Sequence, residues 1–328
     1  MTIIIWIIGI IIALLGAVIA GLVLYSAWTA RRVEKALPPL GRFVDVDGGC
    51  IHYLDQGSGP TLLMIHGLAG QMRNFTHSLL DRLKNDYRVI IIDRPGSGYS
   101  TRPLEASPAI RAQAHTIARF MDALQLERPL VVGHSLGGAI GLSLALDYPQ
   151  KVGGLALLAP ATHPQPQVPA AFQGLVVSSA LLREVIAWTL AIPLSIKNRD
   201  LVLGAVFGPK PVPPDFATRG GGLLSLRPRS YIAASRDLMA SVEDLEQMPA
   251  RYSSLKVPAG ILFGTDDQIL DIARHGEAAA AKIAGVDFER IEGEGHMVPI
   301  TSADLSAKFI ARMAQRLAAA RAKPQSVA

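Results

Sequence analysis

Gly133-His134-Ser135-Leu136-Gly137 sets a serine between small residues, directly after the apolar run Leu130–Val132 and ahead of a helical stretch. On so tight a strand-to-helix turn the hydroxyl stands clear of the sheet, the posture of an acyl-transfer nucleophile. The first N–H groups of the following helix then face any negative charge that develops. The plainer alternative is a glycine-rich turn whose serine only caps the helix. A serine hydroxyl needs an adjacent base, and the base needs a carboxylate to orient it. Both types follow in the chain. Gly264-Thr265-Asp266-Asp267 closes the run Ala259–Phe263, and Gly295-His296-Met297 follows the run Asp287–Ile291. His296 is the candidate base. Among Asp266, Asp267 and Asp271 one acid faces it, another can cap the helix near Ile272, and the local pattern does not choose between them.

Upstream, His66-Gly67-Leu68-Ala69-Gly70 ends the run Thr61–Ile65. The N–H of Leu68 pairs with that of Leu136 as a candidate oxyanion hole, where each donor is worth a few kcal/mol to a transition state. Asp93-Arg94-Pro95-Gly96-Ser97-Gly98-Tyr99-Ser100 is a turn-rich loop expected to shape the floor of the site without a catalytic role.

These groups all fall at the ends of short apolar runs. Arg42–Val46 and Cys50–Leu54 flank Asp47-Gly48-Gly49 and read as a hairpin. Thr61–Ile65, Arg88–Ile92, Leu130–Val132, Gly154–Leu158, Ala259–Phe263 and Asp287–Ile291 read as strands buried on both faces of a parallel sheet. Helical stretches are expected at Phe75–Leu83, Ser107–Leu124, Gly137–Asp147, Ile272–Ile283 and Ser302–Ala320. The alternation implies a doubly wound α/β sheet with an antiparallel edge at its start. In such sheets sites form at the carboxyl ends of strands, where the serine, acid and histidine all lie. From Ala161 to Leu255 the alternation stops. Proline clusters and helical periodicity there indicate a helical cap, since a structureless loop of that length is improbable in a compact fold. Inside it Leu175–Leu194 is nearly continuously apolar. Arg183, Glu184 and Pro193 favour a helix packed over an apolar cleft rather than a second membrane span.

From Ile3 to Trp28 no side chain is charged, enough for a helix to cross a bilayer, which needs roughly 20 apolar residues. The run is too long for a signal-peptide core of about 7–15 residues, and it lacks small residues at the cleavage positions. Trp28 and Tyr25 suit one interface and Trp6 the other. Arg31, Arg32 and Lys35 follow the run, so the positive-inside rule keeps the globular part on the cytoplasmic side. The expected division is an anchor (1–30), a stiff proline-containing linker (31–41), the core in two parts (42–160 and 256–322), the cap (161–255) and a tail (323–328).

The whole chain of 328 residues carries 32 basic and 27 acidic residues, a net charge of +5 with no basic stripe or motif for nucleic acid. Its single cysteine, Cys50, excludes a disulfide framework and any multi-cysteine metal site.

In its HG-x loop, D-x-P-G-x-G-x-S loop, G-H-S-x-G-G elbow, G-x-x-D acid and late G-H, the chain resembles the α/β-hydrolases from about Arg42 to Ala320. The resemblance implies an eight-stranded, mostly parallel sheet, no cofactor, no metal and a serine-ester intermediate. It aligns the acid with Asp267, completing Ser135, Asp267 and His296, with Leu68 and Leu136 at the oxyanion hole. Haloalkane dehalogenases and epoxide hydrolases carry aspartate at the elbow, where this chain has Ser135. The N-terminal anchor is similar to that of membrane-bound monoacylglycerol lipases. With an apolar cap and no carboxylate cluster to read a free amine, the expected substrate is a hydrophobic or lipid-like carboxylic ester. A C–C bond hydrolase or a thioesterase is the nearest alternative, and a non-catalytic tethered binding protein the alternative of another class.

Overall fold

The computed structural model describes residues 2–322; the expected tail at 323–328 lies outside them. Helix α1 (Thr2–Ala36) leads into β1 (Arg42–Val46), β2 (Gly49–Gln56) and β3 (Thr61–Ile65). Short helices α2 (Arg73–Thr76) and α3 (Leu80–Leu83) precede β4 (Arg88–Ile92), and α4 (Ile110–Ala123) precedes β5 (Leu130–His134). Next come α5 (Leu136–Asp147) and β6 (Gly154–Leu158). Four helices then run without a strand: α6 (Ala180–Trp188), α7 (Ala191–Lys197), α8 (Arg199–Phe207) and α9 (Pro228–Gln247). β7 (Ala259–Gly264), α10 (Ala278–Ala280), β8 (Asp287–Ile291), α11 (Val298–Thr301) and α12 (Ala303–Ala322) complete the described chain.

The eight strands form one sheet in the order β1-β2-β4-β3-β5-β6-β7-β8. β1 and β2 pair antiparallel, β2 meets β4 antiparallel, and every later pairing is parallel. The runs of Val, Ile and Leu in β5 and β6 are buried on both faces because helices cover both. α5 lies against Val131, Leu155 and Leu157, while Leu317 of α12 meets Gly154 on the opposite face. This follows from the two-residue period of a strand. The expected doubly wound sheet with an antiparallel start, a cap between two halves of the core and a long apolar N-terminal helix is the observed one.

Three expected segments differ in detail. Phe75–Leu83 is two short helices, because the polar stretch between them turns its side chains to other partners: His77 Nδ1 lies 2.5 Å from Ser78 Oγ and His77 Nε2 lies 2.9 Å from Asp215. Ile272–Ile283 holds a single wide turn at Ala273–Glu277 before α10, with His275 and Gly276 buried. α1 continues through Arg31–Ala36, the first half of the expected linker, and stops ahead of Pro38-Pro39. Val33 and Leu37 account for that extension, since they pack with Leu224 of the cap.

Candidate active site

Ser135 stands between β5 and α5 with a positive φ, φ +54° and ψ −120°, which costs a non-glycine residue energy and marks a forced turn. The turn closes because Gly133 and Gly137, two residues to either side, have no side chain. A Cβ on Gly137 would lie 2.0 Å from the carbonyl oxygen of Ile65 in β3. The main chain of Ser135 is fully used: its N–H donates to Leu158 O (3.1 Å), and its carbonyl accepts from Gly138 (2.9 Å) and Ala161 (3.0 Å). Its hydroxyl makes no capping bond to α5, so the plainer capping alternative does not describe this serine.

Of the three downstream acids, Asp267 meets the histidine. Its Oδ2 lies 2.7 Å from His296 Nδ1, and its Oδ1 accepts from the N–H groups of Ile269 (2.7 Å) and Leu270 (2.9 Å). The Asp267 carboxylate is fully buried, yet every side of it is satisfied. Asp266 takes only the Thr265 hydroxyl at an exposed turn, and Asp271 accepts from Arg274 N–H at the start of the wide turn.

His134, which the sequence offered only as the residue before the serine, holds the other side of His296. Its Nε2 lies 3.0 Å from the carbonyl oxygen of His296, and the two rings are 4.9 Å apart. Burial, reinforced by the neighbouring His296 ring, lowers the His134 pKa to about 3. It therefore stays neutral and its Nε2–H donates to that carbonyl. The Ser135 hydroxyl makes no hydrogen bond to the His296 ring in this structure. Both sit on one rim, and catalytic bonds are commonly loose before substrate binds.

The loop after β3 lies directly against the serine: a Cβ on Gly67 would fall 2.9 Å from Ser135 Cβ. Gly67 O accepts from Arg94 (3.1 Å) and from His66 Nδ1–H (2.9 Å). His66 Nε2 in turn accepts from Arg94 N–H at 3.0 Å. Burial and then the Arg94 charge lower the His66 pKa to about 3, which keeps this tautomer neutral. A trans peptide points its two polar ends oppositely, so pinning Gly67 O fixes the direction of Leu68 N–H. Neither Leu68 N–H nor Leu136 N–H has a protein acceptor among the described residues. Both are free to receive an anion.

The loop expected only to floor the site does more. Arg94, fully buried, reaches Gly67 of this loop, Gln113 of α4 and Asp237 of α9 (both 2.7 Å). Arg102 takes the other oxygen of Asp237 at 2.8 Å. One carboxylate of the cap thus anchors the arginine that positions the candidate oxyanion loop. A turn-rich loop with an arginine hints at this, but its partner lies 143 residues away and has no local signature.

Residues 60–303 match the alpha/beta hydrolase fold family, and the chain belongs to it. Over 120 residues it is 42% identical to the dihydrolipoyllysine-residue acetyltransferase component of the acetoin cleaving system of Cupriavidus necator. That match covers 36% of this chain and only 32% of that protein, so the chain spans about a third of this relative. Over 247 residues it is 28% identical to a 2-hydroxy-6-oxononadienedioate/2-hydroxy-6-oxononatrienedioate hydrolase of Paraburkholderia phymatum, covering 70% of this chain and 81% of that one. A solved membrane phospholipase A, described as a novel bacterial virulence factor, has a similar fold. Its TM-score is 0.67 at 24% identity, over 97% of this chain and 99% of that one. Coverage that wide takes in part of α1 as well as core and cap. The chain is a hydrolase of the α/β fold.

Proposed function

We propose that this chain is a membrane-anchored serine hydrolase of carboxylic esters with hydrophobic or lipid-like acyl groups. Ser135 is its nucleophile, His296 its base and Asp267 the orienting acid. The observation that carries the reading is the 2.7 Å contact of Asp267 with His296 on the rim where Ser135 sits in a forced, uncapped turn. Asp267 fixes the tautomer in which His296 Nδ1 bears the proton, leaving Nε2 as the base. His296 takes the Ser135 proton as Oγ attacks the ester carbonyl, and the N–H groups of Leu68 and Leu136 hold the oxyanion. The imidazolium then protonates the leaving alcohol. Water activated by the same ring opens the acyl-enzyme, returning the proton to Ser135 and releasing the acid.

α1 supports the anchor: among the described residues it is the one helix long and apolar enough to cross a membrane. The fold shared with a membrane phospholipase A supports a bilayer-borne substrate. Arg31, Arg32 and Lys35, exposed at its C-terminal end, favour the cytoplasmic side for core and cap.

A second reading has its own support in the Paraburkholderia relative. A substrate of that name has no ester bond, so its hydrolysis breaks a C–C bond beside the 6-oxo group. The two separate in one experiment: purified protein is assayed with acyl esters of increasing chain length beside vinylogous diketones. Rate rising with ester chain length supports the lipid reading, and turnover of the diketones alone replaces it. A fluorophosphonate probe tests the nucleophile. Labelling lost in Ser135→Ala and kept in Cys50→Ala is expected, and no labelling of the native chain refutes a catalytic serine.

A further inference from the structure

The cap helix α6 is inside out. Its buried side carries Arg183, 9% exposed, whose guanidinium bonds Ser235 Oγ (2.9 Å) and Val177 O (2.5 Å). Its outer side carries Leu181 (76% exposed), Leu182, Val185 and Trp188. The outward apolar side chains continue, with Leu194 of α7 and Leu201 of α8 (72%) exposed. Three consecutive helices that present large apolar side chains outward, the first of them over a buried cation, face something other than water.

The position of α1 says what that is. Its residues up to Gly21 are exposed all round. From Leu22 onward one face is covered: Leu22 and Val23 are half-buried, and Ser26, Thr29 and Val33 are buried. α1 touches α6 and α9 along this stretch. From Ile3 to Gly21 the helix is about 28 Å long, close to the roughly 30 Å of a bilayer core. With that segment in lipid, Leu22–Trp28 lies at the interface, and the helix packed beside it lies there too. Arg32, stacked 4.6 Å from the Trp28 ring, then marks the headgroup level.

We infer that the outer face of the cap, formed by Leu181, Leu182, Val185, Trp188, Leu194 and Leu201, rests in the headgroup–acyl boundary of the bilayer that α1 crosses. The inference rests on the anchor reading proposed above and deepens it: the cap is a second, monotopic membrane contact, continuous with the span. A helix lying in the interface buries its apolar face about 5–10 Å into the headgroup–acyl boundary. Ester substrate then passes from the acyl layer under the cap without crossing bulk water.

The three tryptophans make the test direct, because Trp6 and Trp28 lie on α1 and Trp188 on α6. Full-length W6F/W28F and W28F/W188F variants are reconstituted in phosphatidylcholine–phosphatidylglycerol vesicles with brominated acyl chains. Trp6, alone in W28F/W188F, reports the anchor; Trp188, alone in W6F/W28F, reports the cap. The expected result is quenching of both, with Trp188 losing about half its emission, as an interfacial ring should. Quenching of Trp6 with Trp188 untouched overturns the inference and leaves the anchor standing, whether the cap faces water or a second copy of the chain. No quenching of either removes the anchor reading itself. As a functional check, L181Q/V185Q/L201Q is expected to slow turnover of a bilayer-resident acyl ester about tenfold, or about 1.4 kcal/mol. Its rate on a short soluble ester should stay unchanged; equal loss on both substrates also overturns the inference.

Discussion

Core and cap handle burial in opposite ways. In the core β5, β6 and β7 are buried from end to end, and two polar groups of the candidate site taken inside are paired: Asp267 with His296 and two N–H groups, His134 with a carbonyl. On α6 to α8 of the cap large apolar side chains such as Leu181, Trp188 and Leu201 point out, while two arginines of the cap point in, Arg183 toward Ser235 and Arg227 toward Leu224 O and Gly98 O. On the function proposed above, the core fixes the reacting atoms and the cap governs what reaches them. The fully buried carboxylate of Asp237 ties the two together, alongside Asp215 at His77 and Asp244 at Arg111. If this division holds, damage to the core should be blind to the substrate, and damage to the cap should not.

The largest effect tests the blind half. Ser135→Ala and His296→Ala are each expected to lower kcat by on the order of 10⁶-fold on short and long esters alike, with the fold intact by circular dichroism. Asp267→Asn should retain more activity, a loss on the order of 10⁴-fold, because the base survives in the wrong tautomer. A loss confined to long-chain substrates would place these residues in binding rather than chemistry. Asp267→Asn with full activity would move the orienting role to another acid.

The same contrast governs what could be read from sequence. All eight strands were legible: β3 to β7 as short runs rich in Val, Ile and Leu, the pattern a doubly covered strand demands, β1 and β2 from the glycine turn between them, and β8 as the run closed by Glu292-Gly293. The candidate triad was legible because its members sit at the carboxyl ends of such runs. The choice among Asp266, Asp267 and Asp271 was not decided by local pattern. The family resemblance pointed to Asp267, and in the structure it is Asp267 that meets His296 Nδ1 while Ile269 and Leu270 turn their N–H groups onto its other oxygen. The cap was readable as helical but not as inside out, for periodicity marks an apolar face without saying which side is buried. The apolar stretch Leu175–Leu194 is broken into a turn, α6 and α7, where Ser179 caps one helix and Thr189 ends it. The Arg94–Asp237 bridge was hidden for another reason: pairings this distant leave no trace in spacing.

That bridge carries the next effect. Asp237→Ala leaves Arg94 and Arg102 buried without a counter-charge, and removing one partner of such a pair costs about 3–5 kcal/mol. The unfolding midpoint in urea should fall accordingly. The double variant Arg94→Met with Asp237→Leu should recover part of the loss. A neutral outcome in Asp237→Ala would mean that the other links between core and cap, such as His77 with Asp215 and Arg111 with Asp244, hold the two together without it.

Acid weakens the core next. His66 and His134 have folded pKa values of about 3, while the unfolded chain titrates near 6.5. Below pH 6.5 the unfolded state takes up protons that the folded state refuses, so stability is full above 6.5 and declines as pH falls toward 3. Two such groups give a slope of up to about 2.7 kcal/mol per pH unit within that window. His134→Gln, which keeps a donor for the His296 carbonyl, should halve the part of the slope that these two contribute. An unchanged slope would mean that the ring is not protected from protonation.

The smallest effect asks whether the cap opens by itself. Ser179 Oγ accepts from Leu182 N–H at 3.3 Å and is the only side-chain cap of α6. Its loss in Ser179→Ala costs about 1 kcal/mol. If the cap is a separate cooperative unit, amide exchange in α6 should speed up about fivefold while exchange in β5 and β6 stays fixed. If instead exchange rises everywhere and the global midpoint drops, opening of the cap and unfolding of the sheet are one event. Asp237 then transmits the cost, because a cap that leaves takes with it the counter-charge of Arg94. An independent response of α6 would locate substrate entry in this helix, the element that touches α1.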